Sequence, residues 1–380
     1  MESIGMAAFE PATMLAEDWR DGLFLGRIET PEGPSPVLVS NGVLHDMSRV
    51  APTASQLVAD RAFDAAAGRA LGELGGDAGW PKLLSPVDLQ CVKAAGVTFA
   101  VSALERVIEE RARGDFARAA EFRAGLEARI GGGIRGVKPG SAEAMALKDA
   151  LIEEGVWSQY LEVAIGPDAE IFTKSPVLST VGWGADVGIR SDSSWNNPEP
   201  EIAILADSHG EPVGATLGND VNLRDFEGRS ALLLGKAKDN NASCSLGPFV
   251  RLFDDSFTMD DVRAAEVDLL IEGEDGYVLK GHSSMDQISR DPVDLVTQAM
   301  SEHHYPDGYI LFLGTLFAPT QDRDEPGRGF THKVGDVVTI STPKLGRLVN
   351  RVVHSKSAPA WTLGITGLFQ NLHARGLIAA

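Results

Sequence analysis

Residues 196–205, NNPEPEIAIL, place two glutamates, Glu199 and Glu201, at the entrance of an apolar, strand-like run. Side chains two apart on a strand point to the same face. The two carboxylates therefore repel unless water or a cation lies between them. The run continues as EIAILADSHGEPVGATLGNDV, with the turn-like Asp207-Ser208-His209-Gly210-Glu211 in its middle. A hairpin centred between His209 and Gly210 pairs positions whose numbers sum to 419, which sets Asp220 opposite Glu199. Glu199, Glu201 and Asp220 then converge on one patch. A hard divalent cation takes such oxygen ligands, and Mg²⁺ keeps open positions for water or substrate oxygens. The alternative is a solvated acidic face, since Glu-x-Glu is a common surface pattern.

Cations follow closely. Arg224 comes four residues after Asp220, and Lys238 lies in the irregular KAKDNNASCSLGPF. Two readings are open: ordinary salt bridging and solvation, or capture of an anionic substrate beside a metal, with a lysine moving a proton. Asn219 and Asn222, if inward, would orient metal-bound water. His303-His304 has no third ligand at useful spacing and reads as loop rather than zinc site.

These residues need a scaffold. A chain of 380 residues predicts two structural units, and 43% hydrophobic residues give ample core. No run of ~18 apolar residues predicts a membrane span. The N-terminus carries early acids and no basic region, which argues against a secretory signal. Cys91 and Cys244 are too few for a disulfide framework, so a reducing cytoplasm is the simplest setting. A net charge of −20 repels nucleic acid and anionic membranes, so an anionic small-molecule substrate needs local cations in its site.

Residues 1–85 read as a small N-terminal α+β unit: short β-prone runs in LFLGRIETPEGPSPVLVSNGVLHDMS, then a helical patch around Ala54 to Leu74. Residues 86–380 form the second unit. Strong helix formers from Ser102 to Arg129, closed by Gly131-Gly132-Gly133, predict an amphipathic helix within a helical insertion of about 102–156. From about Ile165 the pattern is short β-runs between Gly, Pro, Asp and Asn turns. The fold class is α+β and β-rich. GGGIRG is not a strand-borne GxGxxG and no Walker motif occurs, so nucleotide binding has no support.

PEPEIAIL, GNDVNLRDFEG, Lys238 upstream of LGPF, and LFLGT together resemble the fumarylacetoacetate hydrolase family. The resemblance implies a mixed β-roll with a smaller N-terminal domain, and metal ligation by Glu199, Glu201 and Asp220. It puts the family's arginine on Arg224, its active-site lysine on Lys238, its Gly-Thr on Gly314-Thr315, and its Phe-x-Lys on FTK ending at Lys174. Arg224, Gly314 and Thr315 become substrate contacts or site support; Lys174 becomes a substrate contact or a structural ion pair.

The departures matter too. Family hydrolases carry a Gly-x-Asn-Tyr-x-x-His-Ala-x-Glu segment whose His–Glu pair activates water. Here it is GVTFAVSALE, with Thr98, Phe99 and Ser102 at the Asn, Tyr and His positions and Glu105 retained. A serine cannot replace that histidine as a base near neutral pH. SDSSWNNPEPE and KAKDNNASCSLGPF resemble the family's 2-keto-3-deoxy-pentonate dehydratase branch. The resemblance implies dehydration of a 2-keto-3-deoxy sugar acid to 2,5-dioxopentanoate, with Mg²⁺ or Mn²⁺ as cofactor and a homodimer or larger homo-oligomer. Lys238 is then the candidate proton carrier at C3, and Glu105 with Ser102 the candidate pair for the departing hydroxyl. A capping box over Ser102 and Glu105 is the structural alternative. The rivals are an acylpyruvate or diketo-acid hydrolase, an oxaloacetate decarboxylase, and a non-catalytic sugar-acid binder.

Overall fold

The computed structural model describes residues 8–113, 115, 118–119, 137–325 and 329–379. Its strands in the N-terminal half are β1 (Leu23–Thr30), β2 (Gly33–Ser40), β3 (Val43–Asp46), β4 (Arg69–Glu73), β5 (Leu83–Leu84), β6 (Cys91–Gly96), β7 (Glu170–Ser175) and β8 (Asp186–Ile189). Next come β9 (Asn196–Asn197), β10 (Pro200–Ala206), β11 (Pro212–Asp220), β12 (Asn222–Leu223) and β13 (Cys244–Leu252). The last are β14 (Glu266–Glu272), β15 (Val278–Ser284), β16 (Tyr309–Phe312), β17 (Val337–Thr342) and β18 (Gly346–His354).

Among the described residues these strands form a large mixed sheet in the order β4-β3-β2-β1-β13-β11-β10-β16-β6-β7, with β5 paired to β1. A five-stranded sheet runs β15-β14-β17-β18-β8, and β12 pairs with β9. The β-rich α+β class expected from sequence is the one observed. The strands of residues 1–85 are hydrogen-bonded into the large sheet through β1 and β13.

Every residue of β10 is buried. Ile202 and Ile204 pack with Leu269, Ile271, Val338 and Ile340 of the smaller sheet. Ala203 and Leu205 enter a second cluster with Leu25, Leu38, Leu246 and Val250. Alternation along the strand thus feeds two cores, which fixes its register, because a one-residue slip would exchange the two faces. The β10–β11 hairpin pairs Pro200 with Asn219, Glu201 with Gly218 and Leu205 with Gly214, the register expected from the turn, with an irregularity only at Ala206.

Helix α1 covers Ala54–Ala59, with Thr53 capping Gln56. This corrects the helical patch expected over Ala54 to Leu74. Arg61 adopts a left-handed backbone (φ 50°), and the chain goes on to pair as β4 with β3. Sheet pairing there overrides alanine's helix preference. Helix α2 covers Ala100–Ala112 and ends at Arg113 in the left-handed region. The rest of the helix expected to Arg129, and Gly131-Gly132-Gly133, fall largely outside the described residues. Val107, Ile108 and Ala112 of α2 pack on Leu161, Ala164 and Ile165. The opposite polar stripe, Ser102, Glu105, Arg106 and Glu109, is buried as well. A helix with ionisable groups buried on its second face needs partners for them. Among the described residues no helix is long and apolar enough to cross a membrane.

Candidate active site

Glu199, Glu201 and Asp220 meet at the ends of β10 and β11. Each offers a ligand oxygen, and these oxygens lie within 4.8 Å of one another, all three residues being buried. The backbone links the two sides of the site: Asp220 N–H donates to the Glu199 carbonyl at 3.1 Å, and Glu199 N–H donates to Asn219 Oδ1 at 3.1 Å.

Four cations surround the carboxylates. Lys238 ends the short helix Leu234–Lys238 and donates to Glu199 Oε2 and, at 3.0 Å, to Asp220 Oδ2. Lys174, from β7, is wholly buried. It pairs with Asp220 Oδ1 at 2.7 Å and donates to the carbonyls of Val221 (3.2 Å) and Lys238 (2.5 Å). Arg106 reaches Glu199 Oε1 at 2.6 Å, Glu109 at 2.8 Å and Glu227 at 2.9 Å. Arg224 binds Glu105 at 2.7 Å and Glu109 at 2.6 Å, and stacks over Trp195 at 4.4 Å.

Glu201 is held differently. It accepts the Gly314 N–H at 2.7 Å and the Thr315 hydroxyl at 3.2 Å. Burial, with repulsion from Asp220 and Glu199, pushes its carboxyl well above the usual range. For Asp220 burial acts upward too, but Lys174 and Lys238 outweigh it and hold the carboxyl low. Burial pulls Lys238 down, yet Asp220, Glu199 and Glu227 hold it above the ordinary lysine range. Burial pushes Glu227 up to about 7 against the pull of Arg106.

A divalent cation fits this donor set. Glu105, Glu109, Glu199, Glu201, Asp220 and Glu227 are six carboxylates against the four cations Arg106, Arg224, Lys174 and Lys238. Fully ionised, they carry an excess of two negative charges in a buried region, where uncompensated charge is costly. Hard carboxylate oxygens are the donors that such cations prefer.

The structure also places the other residues singled out in the sequence. Ser102 donates its hydroxyl to the Thr315 carbonyl at 2.6 Å. The N-cap of α2 is Phe99, so Ser102 lies inside the first turn and the capping-box alternative is corrected. Asn222 is fully buried, and among the described residues neither its side-chain oxygen nor its nitrogen has a hydrogen-bond partner. Cys244 is buried packing directly across from Asp220. His303 bonds the neighbouring His304 carbonyl. After Thr315, Arg323 bridges Asp275 and Asp336, and the Pro319 carbonyl accepts from Arg224 at 3.4 Å.

Sequence reading does not reach Arg106, Glu109, Glu227 or Glu170. The signal for the first two is the polar stripe at positions 102, 105, 106 and 109, which in a sequence looks like a solvated helix face. Glu170 begins β7 and lies over Gly96, where a Cβ would come within 2.0 Å of its carboxylate. Burial raises its pKa, with Arg106 and Lys238 pulling the other way.

Residues 167–353 match the fumarylacetoacetate (FAA) hydrolase C-terminal family. This segment carries the three carboxylates, both lysines and Gly314-Thr315. Two curated proteins are similar in sequence. A probable 2-keto-3-deoxyxylonate dehydratase of Haloferax volcanii is 31% identical over 200 residues, 53% of this chain and 65% of that one. A 2-dehydro-3-deoxy-D-arabinonate dehydratase of Saccharolobus solfataricus is 30% identical over 186 residues, 48% of this chain and 58% of that one. Each match thus spans less than two thirds of the relative's length.

The fold is shared with solved structures. A 2-keto-3-deoxy-D-arabinonate dehydratase complexed with magnesium and 2,5-dioxopentanoate superposes with a TM-score of 0.61 at 22% identity, covering 87% of this chain and 98% of that one. A fumarylacetoacetate hydrolase from Exiguobacterium antarcticum gives 0.57 at 17% identity, covering 87% and 99%.

Proposed function

We propose that this chain is a divalent-metal-dependent hydro-lyase that dehydrates 2-keto-3-deoxy-D-pentonate to 2,5-dioxopentanoate. The observation that carries this reading is the buried triad Glu199, Glu201 and Asp220 in a site whose Ser102 hydroxyl is given to the Thr315 carbonyl. Such a site has a place for a cation but no histidine to activate water at that position. The two curated relatives bear dehydratase names, and the magnesium–product complex belongs to a protein of the same fold.

Glu199, Glu201 and Asp220 would hold the cation, with Mg²⁺ preferred and Mn²⁺ a substitute of like donor taste. When bound, it supplies positive charge against the negative charge that builds on a 2-keto acid as its C3 proton leaves. Lys238 is assigned the C3 proton. Its ammonium is held by Glu199 and Asp220, so action as a base requires another cation to take up those carboxylates. Glu105, steered by Arg224 and assisted by Ser102, is assigned the departing C4 hydroxyl. Gly314 and Thr315 border the substrate and fix Glu201. Of the two roles open to Lys174, support of Asp220 is favoured, because its ammonium already pairs with Asp220 and donates to the carbonyls of Val221 and Lys238. No attacking water enters the scheme. Residues 1–85 are assigned to an ancillary unit built onto the catalytic one, in a cytoplasmic homodimer or larger homo-oligomer.

The test is a product assay with purified protein, Mg²⁺ and 2-keto-3-deoxy-D-pentonate, coupled to an α-ketoglutarate semialdehyde dehydrogenase, with and without EDTA. Metal-dependent 2-oxoglutarate formation is expected. Pyruvate release from an acylpyruvate, a diketo acid or oxaloacetate instead would establish a hydrolase or decarboxylase. Binding without turnover would establish a silent sugar-acid binder.

A further inference from the structure

We propose that Arg106 is the positioning residue that holds Glu199 in its cation-ligating orientation and ties helix α2 to the end of strand β10. The inference rests on the metal reading above and extends it to a residue one helical turn beyond Ser102. The guanidinium is shared three ways: to Glu199 at 2.6 Å, to Glu109 on its own helix at 2.8 Å, and to Glu227 of the helix Arg224–Glu227 at 2.9 Å.

The bracket continues outward. Glu109 takes Arg224 Nε on its other oxygen, and Arg224 takes Glu105. Glu199, Arg106, Glu109, Arg224 and Glu105 thus form one buried chain of alternating charge, with Glu227 as a branch. Each member is fixed by its neighbours. Glu199 Oε1 is committed to Arg106, which turns Oε2 toward Asp220, where Lys238 also donates. The guanidinium reaches Glu199 through one terminal nitrogen and Glu109 and Glu227 through the other, at angles fixed by its plane; an ammonium donates from a single atom on a flexible chain and does not reproduce that spread. Partners that orient a ligating carboxylate are worth about 10–100-fold in metal affinity.

Orientation and charge make opposite predictions. A cation beside a ligating carboxylate opposes metal binding by repulsion, so a role in charge alone predicts that its removal tightens binding. A positioning role predicts the reverse. The experiment is Mn²⁺ binding to metal-stripped full-length protein, read by electron paramagnetic resonance and calorimetry, for wild type, Arg106→Met and Arg106→Lys. Both variants should bind Mn²⁺ at least about tenfold more weakly, including Arg106→Lys, which keeps the charge and loses the fork.

Tighter binding by Arg106→Met, or wild-type affinity in Arg106→Lys, would overturn the proposal. If Arg106→Met fails to fold by circular dichroism, Arg106→Lys decides alone. No Mn²⁺ binding by wild type would sink the metal reading and this inference together. Normal wild-type binding with no dehydration would fault the substrate assignment only.

Discussion

The backbone N–H of Gly314 donates to Glu201 Oε2 at 2.7 Å, and Gly314 can do so only as glycine. Its φ is +106°, and a Cβ there would lie 1.9 Å from Thr98 Oγ1, which is itself bonded to the Leu313 carbonyl at 2.6 Å. Gly314→Ala should therefore cost about 1–3 kcal/mol in stability from the strained backbone alone. It should also lower metal affinity by displacing the donor to Glu201. Urea denaturation and Mn²⁺ titration of the same preparation check both effects; an unchanged midpoint would mean that the loop relaxes freely.

Glu201 has neutral hydrogen-bond donors, the Gly314 N–H and the Thr315 hydroxyl, so Glu201→Gln breaks no ion pair. Its unfolding free energy should change by less than about 1 kcal/mol. Metal-dependent turnover should fall by more than about a hundredfold, beyond what loss of an orienting partner costs. EDTA should abolish wild-type activity and lower its melting temperature, with both restored by Mg²⁺, since a cation bound only by the folded state stabilises it.

Lys238 donates to both Glu199 and Asp220. In Lys238→Met those carboxylates keep Arg106 and Lys174 but lose their shared cation. The metal-free variant should be less stable by up to about 3 kcal/mol, and Mg²⁺ should raise its melting temperature more than it raises that of wild type. Loss of a proton carrier should reduce kcat by about 10²–10⁴-fold. A reduction confined to KM, with kcat intact, would assign Lys238 to carboxylate binding instead.

His332 is buried against Asp336, with Nδ1 to Oδ2 at 3.1 Å. Burial holds its pKa below the ordinary 6.5, with Asp336 pulling it back up. Below pH ~6.5 the unfolded chain takes up a proton that the folded chain resists. This group therefore favours folding above pH ~6.5 and loses that contribution as pH falls. Stability should decline from pH 7 toward 5.5, and His332→Gln should flatten the slope. The exposed His282, whose pKa Asp268 raises, acts in the opposite sense but is screened by solvent. An equal slope in the variant would mean that other groups set the acid limb.

The hairpin of β10 and β11 was legible because its determinants are local. A turn-forming pentapeptide lies between two apolar runs, and the pairing that it sets puts Asp220 opposite Glu199. Residue types at that spacing were enough to bring the carboxylates together and to ask for a cation. The sequence likewise held the dividing feature at Ser102, and the short β-runs of a β-rich α+β fold.

Only the tertiary structure decided how the site is held. Arg106 and Glu199 lie 93 positions apart, and Arg224 and Glu109 lie 115 apart. No local propensity or period carries such a pairing. The stripe 102, 105, 106 and 109 has the spacing of an exposed helix face; it is buried instead because it faces Glu199, Arg224, Glu227 and Thr315, while the apolar face of α2 packs on the helix Gln159–Ile165. Burial changes those charges from solvated groups into obligatory partners, because inside the protein a charge must find its counter-charge. Strand register was therefore written in neighbouring residues, while the ion-pair bracket around Glu199 depended on which distant elements the hydrophobic cores brought into contact.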